Sequence, residues 1–283
     1  MKLLKLILSK TFILKIYTNY KQSLVTNGST KLNVLKTFPL FEAHGWGLYS
    51  IRAKLTIQSI NQVIPSLSEF AKLNKENIQF KEKVLEFLIK EEYKEKLGSL
   101  FTFHGSDKAT IHDYYLIYAS IINDIQNPNI KIFEIGLGTN NTDVVSTMGT
   151  NGKPGASLRA FRDYIDDSYI YGADFDHRIL FEEKRIKTFF VDQTNPKTFS
   201  DLSKKINLEF DLMIDDGLHS PNANLNSLAF FKNKIKSGGY IVIEDVNPNT
   251  EKLWLTVSNL LEREFKSAFI NTKAASVFIL QKK

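Results

Sequence analysis

The chain has 283 residues, 43% hydrophobic and 24% charged, long enough for one large domain or a core domain with an appendage, and its composition excludes a disordered protein. The formal net charge of +6 comes from lysines scattered along the sequence rather than from a compact basic block, so no nucleic-acid partner is expected. The absence of cysteine excludes disulfides and thiolate metal sites and fits a reducing, cytoplasmic compartment.

In residues 1–16, Lys2, Lys5, Lys10 and Lys15 interrupt the run of Leu3, Leu4, Leu6, Ile7, Leu8, Ile13 and Leu14. That leaves neither the apolar stretch nor the small-residue cleavage site of a signal sequence. The pattern suits a helix packing on the body or on a second copy of the chain, and a homo-oligomer is expected. The alternative is a basic amphipathic helix in peripheral contact with an anionic membrane surface. Residues 66–98 turn helical, with Phe70, Leu73, Val84, Leu85, Phe87, Leu88 and Ile89 set among lysines and glutamates. Residues 1–98 therefore read as an N-terminal, mostly helical region, and 99–283 as a second domain.

The second domain opens with Gly105-Ser106-Asp107-Lys108-Ala109-Thr110-Ile111-His112-Asp113-Tyr114, then an apolar helix through Tyr118, Ile121 and Ile122. Ser106 and Asp107 suit caps, and the mix of Lys, Thr, His and Tyr suits a substrate-facing segment. A short apolar strand (130–135) ends in Gly136-Leu137-Gly138, followed by a long polar loop (139–154) and a helix opening at Gly155-Ala156-Ser157. Further strands are predicted at 169–174, 188–192, 210–216 and 240–245, each ending in one or two acids. After a helix (252–264), the runs 265–270 and 276–281 are joined by a turn too short for a crossover, so the last strand pairs antiparallel. Five parallel strands plus a terminal hairpin predict a doubly wound α/β fold: a seven-stranded, Rossmann-like methyltransferase sheet with an antiparallel last strand.

Gly136 and Gly138 allow a tight turn where backbone approaches a ligand. A dinucleotide fingerprint would place a third glycine at 141, where this chain has Asn. Glu134 at the strand end would oppose a pyrophosphate and favours a cationic ligand such as S-adenosylmethionine. Asp174, with Asp176 in reserve, suits the ribose hydroxyls, and Asp192 with Gln193 suits an adenine amino group. Asp216, Glu244 and Asp245 end neighbouring strands, and three carboxylates without sulfur suit a hard cation, Mg²⁺ above Zn²⁺. His219 lies in the following loop, and a histidine side chain titrates near neutral pH.

Together these segments resemble the macrocin-type, metal-dependent sugar O-methyltransferases over roughly residues 106–245. The resemblance rests on Ser-Asp-Lys-x-Thr-x-His-x-Tyr (106–114), Glu-Ile-Gly-Leu-Gly (134–138), Gly-Ala-Ser-Leu-Arg (155–159) and Tyr-Gly-Ala-Asp (171–174). Asp-Gln-Thr-Asn-Pro (192–196), Asp-Asp-Gly-Leu-His (215–219) and Gly-Gly-Tyr-Ile-Val-Ile-Glu-Asp (238–245) complete it. It implies that Asp216, Glu244 and Asp245 hold Mg²⁺, that His219 is the general base with Asp216 at its side, and that segment 106–118 helps form the site. Residues expected around S-adenosylmethionine are Glu134, Gly136, Gly138, Ser157, Asp174, Asp192, Gln193 and Asp215, with Lys108 and His112. The acceptor is expected to be a sugar hydroxyl of a glycan or glycosylated metabolite. Loop 139–154 is longer than in the antibiotic-sugar members, and Leu218 stands where a small Ser is common. Two other readings are an NAD-dependent oxidoreductase on a similar sheet and a non-catalytic, methyltransferase-like binding protein.

Overall fold

The computed structural model describes residues 94–125, 127–144, 146–246, 250–272 and 275–283; the helices expected in 1–16 and 66–93 lie outside them. Helices α1 (Lys94–His104) and α2 (Tyr114–Ile125) precede β1 (Lys131–Ile135), α3 (Ala156–Tyr164), β2 (Tyr169–Asp174), β3 (Glu182–Glu183) and β4 (Ile186–Phe190). Then follow α4 (Pro196–Lys205), β5 (Phe210–Asp215), α5 (Pro221–Lys232), β6 (Ile235–Val246), α6 (Glu251–Leu261), β7 (Phe265–Asn271) and β8 (Ser276–Lys282). Among the described residues no helix is long and apolar enough to cross a membrane.

The sheet has the order β3-β4-β2-β1-β5-β6-β8-β7. Strands β4, β2, β1, β5 and β6 run parallel, and β8 pairs antiparallel with both β6 and β7. This is the expected doubly wound sheet, with an eighth strand at its edge: β3 has two residues and pairs antiparallel with β4. Two exposed glutamates, Glu182 and Glu183, carry no apolar pattern by which β3 could be read.

Residue 98, the expected domain boundary, lies inside α1. Leu97 and Phe101 of that helix are fully buried, and Phe101 packs edge-on against Tyr118 and Phe161. The helix packs against α2 and α3 on one side of the sheet. Charges along this stretch made it look continuous with the preceding helical region, whereas two apolar residues one turn apart anchor it to α2 and α3.

Strand side chains alternate between the two faces, and each face buries its own core. Ile132, Ile214 and Val242 face the layer containing Tyr118, Leu158 and Phe161. Phe133, Ile135, Met213, Ile241 and Ile243 face the layer containing Phe231 and Trp254. Glu134 pairs with Ile214 across β1 and β5, and Ile214 with Val242 across β5 and β6. The same parity puts Glu134, Asp216 and Glu244 on the α2–α3 face, and Asp215 on the opposite one.

Candidate active site

The turn after β1 is built by contact rather than by flexibility. Gly136 has φ +95°, and a Cβ there would lie 1.9 Å from the carbonyl oxygen of Asp216. Gly136 N–H donates to the Ala173 carbonyl (2.9 Å), and Asp216 N–H donates to the Ile135 carbonyl (2.8 Å). The glycine turn and the chain after β5 are thus pressed together. Gly136, Gly138, Lys108, Ser157 and Asp216 line one shallow pocket.

The acids on the β2–β4 side are occupied by neighbouring backbone and side chains. Asp174 accepts from Leu137 N–H (2.7 Å) and Asp176 N–H (2.8 Å), bracing the turn with both oxygens. Asp176 accepts from Thr139 (2.7 Å) and Asn141 (2.8 Å) of the long loop and pairs with Arg178 (2.7 Å). The Arg178 guanidinium holds the Asp176 carboxyl well below the usual range. Asp192 accepts from the Thr194 backbone (2.8 Å) and hydroxyl (2.7 Å), two residues beyond β4. The long loop itself folds back over the turn, so that a Cβ on Gly138 would meet the Met148 sulfur at 2.3 Å.

Two residues expected around the cofactor face the protein interior instead. Gln193 donates to Asp215 (2.7 Å) and Ser227 (2.8 Å) and accepts from Leu218 N–H (2.7 Å). Asp215 is fully buried and also accepts from Asn224 (3.0 Å). Together they pin the β5 loop to α5. Asp215 points to the face opposite Asp216 because the strand alternates, and Gln193 has spent its amide on it.

On the other face a buried cation gathers three acids. Lys108 is 2% exposed; its ammonium lies 2.6 Å from Asp216 Oδ2, 2.6 Å from Glu244 Oε2 and 3.3 Å from Glu134 Oε1. Burial alone would lower its pKa, but Asp216, Glu244 and Glu134 outweigh that and hold it charged. Ser157 donates to the other Glu134 oxygen (2.7 Å), and Tyr118 donates to Glu244 Oε1. Burial pushes the Glu134 carboxyl up to about 7 against the pull of Lys108.

The expected carboxylate trio is therefore split. Glu244 turns to Lys108 and Tyr118, while His219 joins Asp216 and Asp245, with one ligand atom from each within 4.8 Å of the others. His219 Nε2 is 3.8 Å from Asp216 Oδ1 and 3.6 Å from Asp245 Oδ2. His219 and Asp245 have φ of +52° and +49°, left-handed conformations that cost on the order of 1 kcal/mol or more without glycine. At Asp245 the bend, with the register shift between Ile243 and Val246, breaks the alternation of β6; strict alternation would send Asp245 to the face opposite Glu244, and its carboxylate instead reaches Tyr114 and His219.

His112, expected near the cofactor, stands on the Asp245 side, 3.8 Å from its Oδ1 and stacked on Tyr114. Tyr114 donates to the same Asp245 oxygen (2.5 Å). Burial pushes Asp245 up, but His219, Tyr114 and His112 outweigh it and leave the carboxyl below its ordinary value. Nδ1 of His219 and of His112 is buried without a hydrogen-bond partner. Two carboxylates converging in this way offer the oxygen ligands that a hard divalent cation such as Mg²⁺ takes, with the His219 imidazole beside them. Tyr114 and Tyr118 were not singled out by the sequence as site residues; their spacing marks a buried helix face, and the signal was their nearness to the Lys-x-Thr-x-His run.

No protein-family model matches the chain. It is 29% identical over 150 residues to an 8-demethyl-8-alpha-L-rhamnosyl tetracenomycin-C 2'-O-methyltransferase of Streptomyces olivaceus, covering 53% of this chain and 37% of that protein. It is 28% identical over 137 residues to the demethylmacrocin O-methyltransferase of Streptomyces fradiae, covering 48% and 32%. The chain thus spans about a third of the length of these curated relatives. The MycE methyltransferase of the mycinamycin pathway, solved with Mg, S-adenosylhomocysteine and mycinamycin VI, superposes with a TM-score of 0.53 at 21% identity, covering 67% of this chain and 55% of that one. The chain has the fold of the S-adenosylmethionine-dependent methyltransferases, and its curated relatives are sugar O-methyltransferases of the macrocin and tetracenomycin type.

Proposed function

We propose that the protein is a Mg²⁺- and S-adenosylmethionine-dependent O-methyltransferase acting on a sugar hydroxyl of a glycosylated small molecule. The observation that carries this reading is the meeting of Asp216, His219 and Asp245 beside the Gly136 turn, one strand from β1. The relatives named above support the donor, the metal and the acceptor class.

Gly136, Gly138 and Ser157 border the donor, with Asp174 holding the turn in shape. Asp216 and Asp245 hold the cation. When bound, S-adenosylmethionine supplies the methyl group, and Mg²⁺ supplies the charge that makes a coordinated hydroxyl easier to deprotonate. His219 Nε2 faces both carboxylates and takes the hydroxyl proton. Asp245, itself fixed by Tyr114, orients that imidazole. Fixed positions of donor, cation ligands and base contribute much of the acceleration.

The test is transfer of labelled methyl from S-adenosylmethionine to a panel of glycosylated small molecules with vicinal diols, in Mg²⁺ and in chelator. The expected result is a sugar methyl ether formed only with Mg²⁺. Binding of S-adenosylhomocysteine without methylation of any sugar would move the acceptor elsewhere, and no cofactor binding would sink the reading.

A further inference from the structure

Lys108 is the one lysine of the described residues buried against three carboxylates, and its placement is prepared by the chain before it. Ser106 accepts from Lys108 N–H (3.4 Å), and the Asp107 carbonyl accepts from the N–H groups of Thr110 (3.1 Å), Ile111 (3.0 Å) and His112 (3.0 Å). This tight turn drives the side chain inward, onto the face where strand parity has already placed Glu134, Asp216 and Glu244. Asp216 and Glu244 occupy adjacent strands, where like charges repel unless a cation intervenes. Asp216 is shared: Oδ2 contacts the ammonium, while Oδ1 looks toward His219 and Asp245.

We propose that Lys108 is a positioning residue that serves as an internal counter-cation, competing with the divalent ion for the Asp216 carboxylate and weakening its binding. Its fixed charge keeps Asp216 and Glu244 folded together before an ion arrives, and repels the ion once it does. The ion can replace the ammonium electrostatically, but the ammonium cannot replace the ion as a Lewis acid. The inference rests on the Mg²⁺ reading above and goes beyond it.

The experiment is calorimetric titration of Mg²⁺ into the full chain saturated with S-adenosylhomocysteine, for wild type, Lys108→Gln and Lys108→Arg. Thermal unfolding is recorded alongside, in chelator and in Mg²⁺. Lys108→Gln should bind Mg²⁺ at least about tenfold tighter, because a like charge within a few ångströms has been removed. Its melting temperature should fall in chelator and recover in Mg²⁺ by more than wild type gains. Lys108→Arg should keep the wild-type affinity within about threefold, the charge being retained. Unchanged or weaker Mg²⁺ binding in Lys108→Gln overturns the proposal while leaving the Mg²⁺ reading intact. So does a Lys108→Gln chain unfolded in chelator and Mg²⁺ alike, since a replaceable cation would have been rescued. Absence of any Mg²⁺ heat from wild type and variant overturns both.

Discussion

The two halves of the sheet use the same residue type in opposite ways. On the β1–β2–β4 side, the acids after the strands are consumed by structure: Asp174 braces the glycine turn, Asp176 ties down the long loop and Asp192 closes a local turn. On the β5–β6 side, Asp216 and Asp245 face histidines whose Nδ1 atoms have no hydrogen-bond partner, and the backbone there is held in left-handed conformations. Strain and unpartnered polar atoms are both expensive, and their coincidence at His219 and Asp245 points to chemistry there; Arg185 in the β3–β4 turn is left-handed as well (φ +63°) but has no such neighbours among the described residues. A strand-end acid alone therefore says little; what else its oxygens touch decides its part.

The sharpest way to break this comparison is to strip the β5–β6 side. Asp216→Ala and His219→Ala should each lower kcat by about 10²-fold or more while S-adenosylhomocysteine still binds, since a positioned base or its partner is lost. Turnover and calorimetry on the same samples check this, and retained activity in both would overturn the assignment.

The seam between the halves is Gly136. Gly136→Ala must fit a Cβ at 1.9 Å from the Asp216 carbonyl at φ +95°, and should cost about 2–4 kcal/mol in denaturant unfolding. A tolerated alanine would mean that the two turns are not pressed together.

A smaller effect sharpens the account of the buried acids. Glu134 is raised from its ordinary 4.5 to about 7, so the folded state holds its proton more tightly than the unfolded state does. The stability it contributes is present below about pH 4.5 and lost as pH rises through 7. In chelator, wild type should lose stability over that window relative to Glu134→Gln, measured by unfolding as a function of pH. Parallel curves would show that folding does not raise the Glu134 carboxyl.

Much of the architecture was legible because it follows from short-range rules. Apolar runs ending in acids, alternating with helical stretches, dictate a parallel sheet, and a short last turn dictates the antiparallel hairpin. The two-residue β3 was not legible, because Glu182 and Glu183 pair by backbone alone. The packing of α1 was not legible either: Leu97 and Phe101 are an ordinary helical pattern until α2 and α3 supply their partners. The site shows the same division. Asp215 and Asp216 carry one motif, yet strand parity sends one to Gln193 and Asn224 and the other to the pocket. That parity is written in the sequence, and counting it from Ile214 and Val242 would have grouped Glu134, Asp216 and Glu244.

By itself, the sequence determined the sheet, its edge of acids, the glycine turn and the residues available for chemistry, because alternation, turn propensity and side-chain type are local properties. Only the tertiary structure decided which acids remain available. Lys108 lies 108 residues from Asp216 and 136 from Glu244 along the chain, and it captures Glu244 through burial that no local pattern records. The bend at Asp245, at the register shift of β6 between Ile243 and Val246, then brings its carboxylate round to Tyr114 and His219, where strict alternation would have sent it to the opposite face.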